Sequence, residues 1–344
     1  MPLASPPVTP AATPLERLQE QAGRPFPALR ATRDRTVRRL AQRAALLDGL
    51  ARDPNVAVVL MGSWGRHELT RGSDDDYVVL VRGPAMSAVP VRPSPEEVAE
   101  RFARDPEGFS APGKEGVFAG VVHSADLLRV GLDDDTNTNL TRRMLLVLES
   151  AAACHADVLA GVRRDVIHDY LRDALRDRRP PRFLLNDLVR YWRTIGVDFV
   201  AKDRERGGAG WGLRNAKLRT SRKLLFASGL LPVLRCHELP AEGIAPFLAE
   251  QFAMPPTDRV ADAFLRYGAV DEGADALAAY DAFIALLDDD AARAELRAID
   301  GRAAADDSPR WREVAELGVR IEASLVRLLF ATDLGPVTQR YGVF

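Results

Sequence analysis

The stretch Val56–Val81, VAVVLMGSWGRHELTRGSDDDYVVLV, decides how the chain is read. Val56 to Leu60 is a continuous apolar run rich in β-branched side chains, the pattern of a strand buried on both faces. Gly62 and Ser63 end it in a turn. Glycine permits a tight bend and the close approach of a ligand, while the serine hydroxyl and the turn N–H groups are donors suited to phosphate oxygens. Asp74, Asp75, Asp76 and Tyr77 then open a second apolar run, Val78 to Val81. Side chains alternate along a strand, so Asp74 and Asp76 share one face and Asp75 and Tyr77 the other. Two carboxylates therefore converge beside the turn. Such a pair repels itself in a dry site but suits hard divalent cations such as Mg²⁺, which take oxygen ligands together with nucleotide phosphates. In two-metal phosphoryl transfer the ions sit roughly 3.5–4 Å apart, a span that carboxylates two residues apart on one strand can share.

Gly62-Ser63, ten intervening residues and Asp74-Asp75-Asp76 resemble the signature of the DNA polymerase β-like nucleotidyltransferase superfamily, a Gly-Ser turn followed by Asp-x-Asp. The longer run GSWGRHELTRGSDDD is similar to the branch that includes the uridylyltransferase of bacterial nitrogen regulation and its stand-alone relatives, where Gly-x-x-x-Arg-x-Glu and Ser-Asp recur. GLDDDTNTNLTRRMLLVLES and GWGLRNAKLRTSRKLLFASGLL extend that resemblance past the motif. The resemblance implies an α+β fold: a polymerase β-like nucleotidyltransferase core with a mixed sheet, followed by an all-helical bundle, with the site in the cleft between them. It implies two Mg²⁺ or Mn²⁺ ions on Asp74 and Asp76, a triphosphate held by Gly62, Ser63 and Ser73, and Arg66 and Glu68 bracing or lining the pocket. It also implies a third carboxylate on a neighbouring strand, which the sequence does not place cleanly. Asp126 is one candidate, though after Ser124 it also reads as an ordinary first-turn acid of a capped helix. Asp133–Asp135 is the other, though it also reads as a loop capping the next helix. A polar hairpin that happens to carry acids is the plain alternative to the whole motif, but it gives no reason for apolar strands on both sides.

At 344 residues, with 28% charged and 47% hydrophobic residues, the chain has the length for two domains and a large core. Its 47 Lys plus Arg against 49 Asp plus Glu leave a net charge of -2, so only local clusters speak for or against an anionic partner. Cys154 and Cys236 lack CxxC partners, which excludes a disulfide framework or zinc knuckle of the usual kind. The absence of a membrane-length apolar run or a signal-peptide core leads to the expectation of a cytoplasmic protein without membrane insertion. The expected division is a disordered N-terminus over 1–14, a catalytic domain over 15–135, a helical domain over 136–334 and a tail over 335–344.

Helical spacing predicts a helix over Ala31–Arg52, whose arginines form a solvated face or an anion contact, a short helix over Pro95–Arg104 and a third strand over Val117–Val122. From Leu140 the chain reads as nearly uninterrupted helix. Over Phe183–Glu205, Asp187, Tyr191, Thr194 and Asp198 share a polar stripe that either walls the cleft or faces water. In the next helix Arg214, Lys217, Arg219, Arg222 and Lys223 spread around a wheel that also carries Leu213, Leu218, Leu224 and Leu225. A buried helix cannot solvate every charge, so some cations meet internal acids or a ligand. Lys217 is the first choice to meet a triphosphate, with Arg214 and Lys223 behind it. Gly335-Pro336 is expected to end the last helix and leave a tail holding Tyr341. A tethered tyrosine is a nucleophile at high effective concentration, and in size, turn and tail the chain is similar to the Hailong antiphage defence nucleotidyltransferases, thought to prime synthesis on a C-terminal tyrosine. A tyrosine that anchors or frays at the terminus is the alternative.

The expected activity is metal-dependent, template-independent addition of nucleotides from an NTP or dNTP to a hydroxyl. The product would be an oligonucleotide signal in antiphage defence, acting on an effector protein encoded nearby. Nucleotidylation of a partner protein or RNA with AMP or UMP is the alternative. A catalytically silent regulatory or antitoxin-like subunit is the reading from another class, favoured by the unplaced third acid and opposed by the intact Asp-x-Asp. Base, sugar, acceptor and oligomeric state are not legible.

Overall fold

A computed structural model describes residues 11–84, 90–105, 108, 117–132, 135–172 and 175–342. The decisive stretch forms β1 (Val56–Met61) and β2 (Tyr77–Val81), joined in one mixed sheet by β3 (Val121–His123) and β4 (Ser150–Ala152). The order is β3-β2-β1-β4; β1 runs antiparallel to β2 and β4, while β2 and β3 are parallel. Leu60 pairs with Tyr77, so the segment from Gly62 to Asp76 closes one end of the β1–β2 pair. All of β1 is buried, and its two faces serve different cores. Val56, Val58 and Leu60 pack with Trp64, Tyr77 and Phe102, whereas Ala57, Val59 and Met61 join the large cluster that continues into the helices. Two-sided burial is what an uninterrupted β-branched run requires.

Sixteen α-helices are found among the described residues. The first eight are α1 (Pro14–Ala22), α2 (Pro27–Leu47), α3 (Pro95–Phe102), α4 (Ser124–Leu127), α5 (Asn137–Leu148), α6 (Ala156–Leu171), α7 (Arg182–Glu205) and α8 (Trp211–Lys217). A π turn, Leu218–Arg222, joins α8 to α9 (Lys223–Arg235). Then come α10 (Ala241–Ala253), α11 (Pro256–Arg266), α12 (Val270–Asp288), α13 (Asp290–Arg297), α14 (Gly301–Asp306), α15 (Pro309–Ala331) and α16 (Gly335–Tyr341). A small mixed sheet with a helical region is the expected α+β class. No described helix is long and apolar enough to cross a membrane.

Several expectations change. Of the N-terminus expected to be disordered over 1–14, residues 1–10 lie outside the described residues, but Pro14 already begins α1, because Thr13 and Glu16 cap each other's backbone N–H groups. Helix α2 begins at Pro27 and ends at Leu47. Strand β4 interrupts the helix expected from Leu140 onward, and it lies beyond residue 135, so the sheet draws on both sides of the expected boundary. The expected tail is instead α16, since Pro336 occupies its first turn, where a missing N–H costs nothing.

Candidate active site

The turn after β1 needs glycine at two points. Gly62 has φ +65°, a left-handed conformation that glycine adopts without cost, and a Cβ there would stand 3.4 Å from Asp76 Oδ2. A Cβ on Gly65 would lie 2.0 Å from the Glu149 carbonyl and 2.2 Å from the Ser150 nitrogen. Only glycine lets the turn rest directly on the head of β4. From the other side, Trp64 Nε1 donates to the Asp74 carbonyl at 3.1 Å and the Met61 N–H to the Asp76 carbonyl at 2.8 Å. The Thr70 N–H donates to Ser73 Oγ at 3.0 Å.

The expected alternation of the acids is observed. Asp75 is buried and bound by Arg43 at 2.7 Å, and that guanidinium lies 4.5 Å from the Phe102 ring centre. Tyr77, on the same side, donates to the Pro95 carbonyl at 2.8 Å. Asp74 and Asp76 face a cavity of ≈130 Å³ instead. Among the described residues neither side chain has a hydrogen-bond or ion-pair partner. Burial, then the neighbouring Asp74, pushes the Asp76 carboxyl up to about 6 against the opposing pull of Arg222. Burial also raises Asp74, against Lys217.

The cavity gathers eight of the expected site residues: Gly62, Ser63, Arg66, Glu68, Ser73, Asp74, Asp76 and Lys217. Its other wall comes from the helical region, with Ser221, Arg222, Ile284, Leu287 and Arg293. Lys217 has no hydrogen-bond or ion-pair partner among the described residues. Crowding by protein, then Arg222, lowers its ammonium to about 8 against the attraction of Asp74. Arg66 is held rigidly: Nε donates to Glu68 at 2.8 Å and Nη1 to Glu149, and Glu68 also accepts from the Tyr280 hydroxyl at 2.8 Å. Burial works against the Arg66 charge, but Glu149 and Glu68 outweigh it and hold the guanidinium protonated.

Other expected residues lie elsewhere. Asp126 is exposed on α4, which follows β3. Since β3 runs parallel to β2 with Val81 opposite His123, α4 adjoins the far end of β2 from Asp76. Asp133 and Asp134 lie outside the described residues, while Asp135 binds the buried Arg143 at 2.7 Å. Arg214 turns back to Asp203 at 2.9 Å and to the Ala209 carbonyl, and Lys223 binds Glu322 on α15, so neither lines the cavity. Tyr341 is half-buried on α16 against Arg182, 5.8 Å from its ring centre, and does not line the cavity. The polar stripe of α7 divides: Asp187 and Tyr191 are buried, the first on the Tyr170 hydroxyl at 2.7 Å and the second against Glu149, whereas Asp198 faces water and pairs with Lys202 at 2.9 Å.

Glu149 and Arg293 were not singled out by the sequence, and Arg222 was named only as one of five cations on a helical wheel, behind Lys217, Arg214 and Lys223 as a ligand contact. Glu149, fully buried at the head of β4, accepts from Arg66 and from Arg222 at 3.1 Å, so one carboxylate fixes a cation from the core and one from the helices. Arg222 reaches the cavity through the π turn. On an α-helix, five residues at about 100° each would put it about 140° round from Lys217. The i→i+5 repeat of a π turn returns positions five apart to one side.

Two carboxylates that make no hydrogen bond or ion pair among the described residues are hard oxygen donors of the kind that Mg²⁺ or Mn²⁺ takes. No group of three or more His, Cys, Asp or Glu among the described residues is placed to hold a metal ion. Asp74 and Asp76 would therefore need phosphate and water oxygens to complete a shell. Residues 19–109 match the family model described as "Putative nucleotidyltransferase DUF294". No curated protein matches the chain. The matched span contains β1, the turn and both aspartates, and it supports nucleotidyl transfer as the general chemistry.

Proposed function

We propose that the chain is a metal-dependent, template-independent nucleotidyltransferase that moves a nucleotidyl group from an NTP or dNTP to a hydroxyl acceptor and releases pyrophosphate. One observation carries this reading: two carboxylates and Lys217, none of which makes a hydrogen bond or ion pair among the described residues, share a cavity with a Gly-Ser turn. Asp74 and Asp76 would hold divalent ions, whose charge favours the ionised acceptor and offsets the developing charge on pyrophosphate. Ser63 and the turn N–H groups donate to phosphate oxygens. Lys217 and Arg222 bring positive charge from the facing wall, and Glu149 keeps Arg222 and Arg66 from swinging away. The acceptor hydroxyl gives up its proton to solvent, and its oxygen bonds to the α-phosphorus as the bond to pyrophosphate breaks.

Synthesis of an oligonucleotide signal in antiphage defence is the setting we favour, on the sequence resemblance, and a nearby effector gene would support it. Transfer of AMP or UMP to a partner protein or RNA is the second reading. Use of Tyr341 as primer would require α16 to leave its packing beside Arg182. The test is incubation with each labelled NTP and dNTP plus Mg²⁺ or Mn²⁺. Pyrophosphate should form, and should not form with Asp74→Ala plus Asp76→Ala. Label on Tyr341 would support priming, whereas free oligomers from unlabelled protein would reject it. Nucleotide binding without turnover would favour the silent subunit.

A further inference from the structure

The loop that carries Ser73 and Asp74 is held by the junction of α12 and α13. Asp288 accepts from the Arg71 N–H at 2.9 Å and from both terminal nitrogens of Arg35 at 2.6 and 2.8 Å; Arg35 also donates to the Leu69 carbonyl at 2.8 Å. Arg293 packs flush on Gly72, where a Cβ would stand 2.5 Å from its Cζ and Nε. It is oriented by its own turn, donating to the Leu287 carbonyl at 2.8 Å and to the Asp290 carboxylate.

The chemistry of the cavity is unevenly distributed. Ile284 and Leu287 are its only apolar lining side chains among the described residues, and both come from α12, next to the planar guanidinium of Arg293. The aspartates, Ser63, Lys217 and Arg222 are suited to a charged, hydrated ligand. A nucleoside triphosphate has the same division, a charged phosphate chain at one end and a flat, weakly polar base at the other. Arg stacks its guanidinium plane on aromatic faces, which the compact ammonium of Lys cannot do. At ≈130 Å³ the cavity is smaller than the roughly 300–1,000 Å³ of ordinary ligand pockets. As it stands the cavity does not enclose a whole nucleotide, and the Arg293 side chain, which rests on bare glycine backbone, can swing towards a base by exchanging its bonds to the Leu287 carbonyl and Asp290.

Resting on the nucleotidyltransferase reading, we propose that the α12–α13 junction is the nucleobase seat: Arg293 leaves Gly72 to stack on the base while Ile284 and Leu287 form the apolar floor. Arg293 is then a binding residue for the base and not for the phosphates.

The test compares the full chain's affinity for nucleoside triphosphates with its affinity for inorganic tripolyphosphate, by calorimetry with the same divalent ion. The native chain should prefer one or more nucleoside triphosphates over tripolyphosphate by about ten-fold or more, a gain within the range of base stacking. Arg293→Ala should lose about ten-fold in nucleotide affinity and keep its tripolyphosphate affinity within about two-fold, which also shows that the phosphate site has stayed folded. Arg293→Lys should behave like Arg293→Ala. Equal native affinities for the two ligand classes, a parallel loss of tripolyphosphate binding, or full rescue by Arg293→Lys would each overturn the base seat. Because affinity is read and not turnover, a chain that bound nucleotides with this preference but formed no pyrophosphate would sink the transferase reading and leave the seat standing.

Discussion

Among the described residues Asp74 and Asp76 make no hydrogen bond or ion pair, and burial, which Lys217 and Arg222 only partly offset, makes their charge unfavourable in the folded state when no cation is bound. With a folded value of about 6 against the ordinary 3.8, Asp76 binds more proton folded than unfolded between those values. Stability therefore falls as pH rises from 3.8 towards about 6, and the deficit is complete above that. Without divalent ions, Asp76→Asn should raise the Tm by a few degrees at neutral pH, with the gain shrinking as pH drops below 6 and vanishing below 3.8. Thermal melts across that range check the sign; a lower Tm in the variant at neutral pH would contradict it. Both aspartates were legible because a strand has period two and Asp75 had to face the other way, onto what proves to be Arg43. Glu149 was not: it lies within the run LLVLES, which reads as helix, and its meaning comes from Arg66, 83 residues away. The helical wheel carried Arg222 but not its place beside Lys217, because the wheel assumes 100° per residue where the chain makes a π turn.

Strand β4 exists through pairing rather than propensity. Ser-Ala-Ala has no β-branched side chain, yet it pairs with Val59, Leu60 and Met61 because Gly65 leaves room for the backbone at its head. Gly65→Ala should displace that head and with it Glu149, the anchor of Arg66 and Arg222. We expect a stability loss of more than ~2 kcal/mol, in the range of buried steric defects, together with reduced turnover. Urea denaturation measures the first, and a variant as stable as the native chain would refute the close contact. Strands β1 and β2 and helices α3 and α7 were read from sequence because they carry long or strongly patterned runs. Helix α1 had a signal that was passed over, the Thr13–Glu16 capping box, while α16 was hidden because Pro336 was taken as a stop when it stands where proline is tolerated.

The expected separation of a core from a bundle is blurred at both ends of the chain. Leu15, Leu18, Phe26 and Leu29 belong to the large core shared with the later helices, Arg33 binds Asp258 at 2.5 Å, and the Leu29 N–H donates to Asp281 at 2.8 Å. These contacts span more than 200 residues, so no local pattern in the sequence could announce them. A fragment of residues 15–135 lacks β4 and the partners of α1 and α2, and should not fold alone. Circular dichroism and amide exchange of the fragment test this, and a cooperative melt would show a self-sufficient core. In the intact chain the same long-range packing brings Lys217 and Arg222 to the aspartates, and it makes the cavity a property of the whole molecule. What that cavity does is tested by pyrophosphate release from labelled NTPs and dNTPs with Mg²⁺ or Mn²⁺, comparing the native chain with a folded Asp74→Ala plus Asp76→Ala variant. Release by the native chain and none by the variant is the predicted result; release that survives the double substitution, or none from the native chain with any nucleotide, would contradict the account.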